Sequence, residues 1–309
     1  MMKSLVVIGS SNIDMVLQLP HLPKAGETVG EGIFSQVNGG KGANQAVAAA
    51  RAGGRVSFIS SVGQDGFGQE AIASFQRAGI DTSGVLQVEG IPTGVALIFV
   101  DAKGENSIGV GPGANYQLLP HHIDQASQTI EQAELLLLQL EVPFETVSYA
   151  IKKAKELGTK VLLNPAPARS LPDELLSMID ILVVNETEAE LISGLRLQAR
   201  EDILKMAETL VAKGPETVIV TLGSKGAYLL AGGIGNWISA YEVEAIDTTA
   251  AGDVFCGSLA VSLMEHKNLA TAVSFASAAA AISVTRLGAQ PSAPSRAEIL
   301  SFMQKNNRR

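Results

Sequence analysis

Apolar residues in this chain gather into short unbroken runs separated by longer stretches with helical periodicity. Leu5–Gly9 is continuous and stops at Gly9-Ser10-Ser11, as a strand buried on both faces does. Val56–Val62, Leu135–Leu140, Lys160–Asn164, Ile181–Val184 and Thr217–Thr221 read the same way, and Tyr241–Ala245 is expected as a further strand. Between them, Gly42–Arg51 is an alanine-rich helix ended by Gly53-Gly54. Phe67–Ala78 stops at Gly79, Pro143–Leu157 at Gly158, and Ala251–Glu265 is a further helix. Ala270–Val284 is apolar but broken by Ser274, Ser277 and Ser283, and reads as a tightly packed core helix rather than a membrane span. Strands alternating with helices predict a mostly parallel sheet covered on both faces, a three-layer α/β/α fold.

Two segments break the alternation. Met15–Leu19 with Ile33–Val37, and Val95–Val100 with Asn106–Val110, read as short β pairs with no helix following. Asp101-Ala102-Lys103-Gly104 joins the second pair as a hairpin turn. They are expected to assemble into one small β layer that closes over a site, unless they are edge strands of the main sheet. The expected division is residues 1–11, 43–92 and 113–309 as the α/β domain, with 12–42 and 93–112 as a β-sheet lid.

Composition narrows the function classes. The formal net charge of −8 leaves no general footprint for nucleic acid, so an anion would have to be held locally by backbone N–H groups. The one cysteine, Cys256, excludes an intrachain disulfide framework. His21, His121, His122 and His266 lack metal-ligand spacing, and His121-His122 reads as a solvated first helical turn. Met1-Met2-Lys3-Ser4 leads straight into the first strand, with no room for a signal-peptide core. The expectation is a soluble, cytoplasmic protein with neither nucleic acid nor membrane as partner.

Four polar clusters carry candidate chemistry. Asn38-Gly39-Gly40-Lys41-Gly42-Ala43-Asn44 precedes a helix but is no P-loop, since Ser35 stands where the first glycine belongs. Its glycines admit a ligand to the backbone and Asn44 offers donor and acceptor, which suits a sugar; a tight turn would explain it equally. Asp247-Thr248-Thr249-Ala250-Ala251-Gly252-Asp253 opens a helix whose first N–H groups could face an anion. The helix dipole would keep Asp253 ionised beside that anion, as phosphoryl transfer to a hydroxyl needs, or Asp253 serves the dipole alone. Asn185-Glu186-Thr187-Glu188 fits a capping box, or a polar strand end organising water around Mg²⁺. Thr221-Leu222-Gly223-Ser224-Lys225-Gly226 is a β-turn or a phosphate cradle.

Together with Asn12-x-Asp14, Leu138-Gln139-Leu140-Glu141 and Ala289-Gln290-Pro291-Ser292, these clusters occur in the order seen in the ribokinase family of sugar and nucleoside kinases, which the chain resembles over essentially its whole length. The resemblance implies transfer of the ATP γ-phosphate to the 5-hydroxyl of D-ribose. Asp253 would be the base, with the backbone of Ala250, Ala251, Gly252 and Asp253 as anion hole. Asn12, Asp14, Gly40, Lys41, Asn44 and Glu141 would hold the sugar. Asn185, Thr221, Gly223, Ser224, Gly226, Gly252 and Ser277 would lie along ATP, with Glu188 organising water on Mg²⁺. A monovalent cation, usually K⁺, would sit between Asp247 and Thr249 on one loop and Ser283, Arg286, Gly288 and Ser292 on another. A homodimer through Met15–Val37 and Val95–Val110 is expected. Two departures stand out. Many members have Gly-Ala-Gly-Asp where this chain has Ala250-Ala251-Gly252-Asp253, which a negative φ at Ala250 would accommodate. Ser277 stands where relatives often carry Asn or His. A kinase for deoxyribose or another pentose or ketohexose, and a non-catalytic sugar-binding regulator, are the alternatives.

Overall fold

The computed structural model describes residues 4–265 and 268–306; Met1-Met2-Lys3 and His266 lie outside them. The strands are β1 (Ser4–Ile8), β2 (Asn12–Gln18), β3 (Ile33–Gly39), β4 (Arg55–Gly63), β5 (Asp81–Val88), β6 (Gly94–Val100), β7 (Asn106–Gly111), β8 (Leu135–Leu138), β9 (Lys160–Leu163), β10 (Ile181–Asn185), β11 (Thr217–Thr221), β12 (Ala227–Ala231) and β13 (Ile234–Ile238). The helices are α1 (Lys41–Arg51), α2 (Gly66–Arg77), α3 (Pro120–Gln125), α4 (Ser127–Glu131), α5 (Phe144–Leu157), α6 (Asp173–Leu176), α7 (Glu186–Ser193), α8 (Arg200–Ala212), α9 (Ala251–Glu265), α10 (Leu269–Ser283) and α11 (Arg296–Asn306).

Nine strands form the main sheet in the order β13-β12-β11-β10-β9-β8-β1-β4-β5. Neighbours from β11 to β5 run parallel, and the β12–β13 hairpin adds an antiparallel edge. Side chains alternate across a strand, so each apolar run feeds two cores. Leu5, Val7, Leu135 and Leu137 pack toward α1, α9 and α10, while Val6, Ile8, Leu136 and Leu138 pack toward α5, α7 and α8. That double burial is why these strands are apolar throughout. The three layers match the expected architecture.

The four short strands form one separate sheet, β3-β2-β6-β7, rather than extending the main one. β2 and β6 enter it side by side in parallel, with Asn12 opposite Gly94. β3 and β7 return antiparallel to them; contrary to the expectation that no helix follows either pair, α1 begins one residue after β3, while β7 runs into a short 3-10 turn. Ile33, Phe34, Ile108 and Val110 of this sheet each expose more than half of their surface.

One expected strand is absent. Tyr241–Ala245 lies outside both sheets, although its alternating pattern fits a strand. The hairpin through Gly232-Gly233 places β13 at the sheet edge first, so the following segment has no partner to pair with. Tyr241 packs instead on Phe302 of α11, with ring centroids 5.2 Å apart. β8 also ends at Leu138, two residues early, which frees Gln139, Leu140 and Glu141 to turn over the end of the sheet.

The contact between α1 and α9 matters most for the site. Gly257 is the reason they come so close: a Cβ there would run into the carbonyl of Gln45. This approach brings the first turn of α1 against the first turn of α9.

Candidate active site

The parallel strands all end at one rim of the sheet, where open α/β folds place their ligands. Ser10 follows β1, Glu141 follows β8, Asn164 follows β9, and Asn185 and Thr221 end β10 and β11 in register with each other. α1 and α9 begin at the same rim. Asp253, in the first turn of α9, is only 6% exposed. Its Oδ2 accepts from Asn44 Nδ2 and its Oδ1 from Gln45 Nε2, each at 3.0 Å.

Burial pushes the Asp253 carboxyl above the ordinary carboxylate range. The Lys41 ammonium and the Asn44 and Gln45 amides pull it partly back. These side chains favour the ionised form that the position of Asp253 in the first turn of α9 also favours. Burial alone would lower the Lys41 ammonium, but Asp253 and Glu141 outweigh it and hold it above its usual value.

The residues read as sugar ligands cluster on the side of Asp253 nearer the small sheet. The Asp14 carboxylate lies against Gly39, and burial, reinforced by Glu141 and Asp253, raises it to about 6. Glu141 Oε2 accepts from the Lys41 N–H at 2.9 Å and from the Ser10 hydroxyl at 2.5 Å, which ties β1, β8 and the start of α1 together. Gly40 adopts φ +88° and packs against the backbone of Ser10 to Asn12, where a Cβ would not fit. Asn44 Oδ1 is buried with no hydrogen-bond partner among the described residues.

A cavity of about 450 Å³ opens at the start of α9, where Ala251 and Gly252, next to Asp253 in the chain, line it. Thr221, Gly223, Ser224, Gly226, Gly252 and Ser277 line it together with Thr248, Phe255 and the Ala240–Ala245 segment. Asn185 is placed nearby through its pairing with Thr221 but its side chain caps α7, accepting from the Glu188 N–H at 2.8 Å. Glu188 completes the box by accepting from the Asn185 N–H at 2.9 Å. Buried to 4% exposure, Glu188 has its carboxyl raised chiefly by desolvation, against the lowering effects of the Asn185 N–H and Lys41.

The start of α9 departs from expectation in its backbone. Ala250 has φ +58°, not the negative value assumed from sequence. A left-handed alanine costs roughly 1–2 kcal/mol, and it is the turn that swings the Asp247–Thr249 loop into the helix. The Ala251 N–H donates to the Thr248 carbonyl at 3.2 Å, so it is engaged within the turn. Gly252 and Asp253 follow in the first turn, where N–H groups have no carbonyl one turn back.

Asp247 Oδ1 accepts from the Thr249 N–H and Oδ2 from the Gly288 N–H, both at 2.8 Å. The second bond joins the two loops read as a cation site. Burial opposes ionisation of Asp247, but these N–H and hydroxyl donors hold its carboxyl below its usual value. The Ser283 and Ser292 hydroxyls donate to the Ala280 and Ala289 carbonyls, leaving their oxygens as acceptors. Arg286 pairs with Glu298 at 2.6 Å, so its charge is already matched. Among the described residues no three His, Cys, Asp or Glu side chains cluster as metal ligands.

Four polar residues went unassigned in the sequence reading. Asn115, just after the second return from the small sheet, donates to Asn12 Oδ1 at 2.7 Å and accepts from the Ser11 N–H at 2.8 Å. Gln45, Gln139 and Asn164 form a buried carboxamide group behind Asp253. Only Gln139 carried a signal, as a polar break in an apolar run.

A family model described as pfkB family carbohydrate kinase matches residues 2–296. A ribokinase of Haemophilus influenzae is 46% identical over 304 residues, covering 98% of this chain and 99% of its own length. A deoxyribokinase of Salmonella typhimurium is 40% identical over 303 residues, with 98% and 99% coverage. A solved structure of Arabidopsis thaliana ribokinase complexed with ribose and ATP superposes with a TM-score of 0.93 at 34% identity, covering 98% of this chain and 99% of that one. From its fold, the geometry of its site and this whole-length similarity, the chain belongs to the pfkB family of carbohydrate kinases.

Proposed function

We propose that this protein transfers the γ-phosphoryl group of ATP to the 5-hydroxyl of D-ribose, giving D-ribose 5-phosphate and ADP. The observation that carries the reading is the place of Asp253: a buried carboxylate between the lid-side polar cluster and the 450 Å³ cavity. In this reading the sugar lies against Asn12, Asp14, Gly40, Lys41, Asn44 and Glu141. The nucleotide lies along the cavity past Thr221, Gly223, Ser224, Gly226 and Ser277, with Asn185 at its phosphate end. Asp253 takes the hydroxyl proton as the oxygen attacks the γ-phosphorus and the bond to the β-phosphate oxygen breaks. The N–H groups of Gly252 and Asp253, within the Ala250–Asp253 turn, face the transferring charge. The unpartnered Asn44 Oδ1 supports this, since it offers an acceptor to a sugar hydroxyl while its amide nitrogen holds Asp253.

Mg²⁺ entering with ATP would screen the phosphate charges. Glu188, buried and facing the site, suits holding its waters. The donor set of Asp247, Thr249, Ser283, Gly288 and Ser292 is mostly neutral oxygen, which suits K⁺ rather than a small, strongly hydrated ion. Arg286 would contribute through its backbone, its guanidinium being paired with Glu298. Residues 12–42 and 93–112 would act as a lid on the α/β body formed by 1–11, 43–92 and 113–309. Use of cellular ATP would suit a cytoplasmic protein. No helix among the described residues is long and apolar enough to cross a membrane.

A second reading, deoxyribose phosphorylation, is favoured by the 40%-identical deoxyribokinase. Asn115 ties up Asn12 Oδ1, so Asn12 presents its N–H₂ and Asp14 its acceptors. Such a pair binds neighbouring hydroxyls and penalises a sugar lacking one. A non-catalytic binder would have no use for the carboxylate of Asp253 at this position.

ATP consumption with a sugar panel should show the highest kcat/KM for D-ribose. Asp253→Asn should lower kcat by ~10²–10⁴ while ribose still binds; near-normal turnover would overturn the assignment of the base.

The Asp14 carboxyl, raised to about 6, is ionised above that pH and neutral below it. The ribose KM should therefore climb as pH falls through about 6, roughly tenfold per unit at most, and Asp14→Asn should flatten the dependence. A wild-type KM that is level from pH 5 to 8 would count against Asp14 as a sugar ligand.

Activity at constant ionic strength should rise when K⁺ replaces Na⁺, and Asp247→Ala should lose most of that response. Equal rates in K⁺, Na⁺ and a bulky organic cation would remove the site.

The small sheet carries Val16, Ile98, Ile108 and Val110 on the same face as Asp14, and Ile33 and Phe34 stand exposed along its β3 edge. A second copy of this chain would cover that surface. Light scattering at micromolar concentration should give twice the 32.2 kDa chain mass, and a purely monomeric species would refute the homodimer.

A further inference from the structure

Three buried carboxamides stand behind Asp253 and touch neither the cavity nor the sugar cluster. Asn164, after β9, donates through Nδ2 to the Val183 carbonyl at 3.1 Å. A backbone carbonyl only accepts, so this bond fixes the Asn164 amide with Oδ1 pointing away from β10. Gln45 Nε2 donates to that Oδ1 at 3.2 Å and, with its other hydrogen, to Asp253 Oδ1 at 3.0 Å. Gln45 Oε1 must then face the other way, where Gln139 Nε2 donates to it at 2.6 Å. Gln45 and Gln139 are both fully buried. Gln139 Oε1 ends the chain without a partner among the described residues, packed where a side chain on Gly9 would otherwise sit.

We propose that Gln45 is a positioning residue for the phosphoryl-transfer reaction: an amide relay anchored on the Val183 carbonyl and backed by Gln139 keeps a donor aimed at Asp253 Oδ1. The inference rests on Asp253 being the base. Its orientation follows from two acceptors that cannot donate, the Val183 carbonyl at one end and the ionised carboxylate at the other. Each carboxylate oxygen thus accepts one amide bond, Oδ1 from Gln45 and Oδ2 from Asn44, and the proton taken from the sugar goes to a remaining lone pair. The free Asn44 Oδ1 marks the sugar side. The relay also favours the charged form of a carboxylate that has almost no water.

Other charged and titratable groups act on Asp253 from every side. Lys41 of α1 favours its ionised form, Glu141 after β8 opposes it, and Asp14 of β2, Glu188 of α7 and Cys256 one turn along α9 are coupled to it as well. None of their side chains hydrogen-bonds to the Gln45 side chain, so replacing Gln45 removes its donor and leaves their charges in place.

The test is the pH profile of kcat in Gln45→Met, a swap of similar volume that removes the donor. A hydrogen bond to a charged group corresponds to about one to two pKa units. The acid limb of kcat should therefore move upward by about one pH unit or more. Turnover should fall by up to ~10-fold at pH values on the acid limb and recover as pH rises above it, with the ribose KM changed less than ~2-fold. Thermal melting checks that the variant is folded. If Gln45→Met does not fold, Gln139→Met decides, since it frees Gln45 Oε1 to turn and should shift the limb in the same direction by less. An unmoved acid limb in a folded variant, or a raised KM with kcat intact, would overturn the relay. Asp253→Asn measured alongside separates the two claims. If it retains turnover, the base assignment fails; if it is inactive while the limb of Gln45→Met stays put, only the relay fails.

Discussion

A carboxylate denied water is the constraint around which this molecule is built. Asp253 is 6% exposed, and burial pushes it toward its neutral form. An ionised group in that position survives only where donors and an opposite charge replace its hydration. The first turn of α1 supplies them: Lys41, Asn44 and Gln45 fall within five consecutive positions and all act on this one side chain. That is possible because α1 and α9 approach at Gly257 closely enough for helix-borne amides to reach across. Packing at the middle of α9 thus governs chemistry at its start.

The same first turn is tied to the strand ends on the side of the small sheet. The Lys41 N–H is held by Glu141, which also holds Ser10, so the loop from β3 into α1 is fixed to the ends of β1 and β8. Asn44 divides its two polar atoms between Asp253 and the space in front of it. The cost of this arrangement is concentrated in a few places. Ala250 accepts a left-handed backbone, and Asp14, Glu188 and Asp253 all sit above their ordinary protonation range. Strain and perturbed acids gathered at one rim are common where a fold serves chemistry.

Much of this was legible from the chain, for reasons that differ by element. Strands buried on both faces had to be apolar throughout, so β1, β8, β10 and β11 stood out, as did helices ended by glycine. β5 and β13 did not, because edge strands with half-polar sequences such as Asp81–Val88 resemble loops. The segment Tyr241–Ala245 had the right alternation but no free neighbour, which only the assembled sheet decides. The site clusters were readable because polar and glycine-rich residues at the ends of apolar runs have little structural use there. Asn115 and Gln45 were invisible for the opposite reason. A carboxamide becomes meaningful through its partner, and Asn115 lies 103 positions from Asn12 while Gln45 lies 208 from Asp253. The positive φ of Ala250 shows only through the glycine that many family members carry there, since alanine itself does not announce a left-handed turn.

The way the small sheet is attached has a mechanical consequence. β2 and β6 leave the body next to each other in parallel, and β3 and β7 return beside them, so all four crossings lie along a single edge. Asn115 staples the first crossing to the last through Ser11 and Asn12. A leaf held on a line has one soft degree of freedom, rotation about that line, because every other displacement must stretch one crossing against another. Any movement of the leaf toward the body would then mean changing an angle, with its internal pairing already made. The entropy that an unstructured loop would lose on closing is here lost once, when the chain folds.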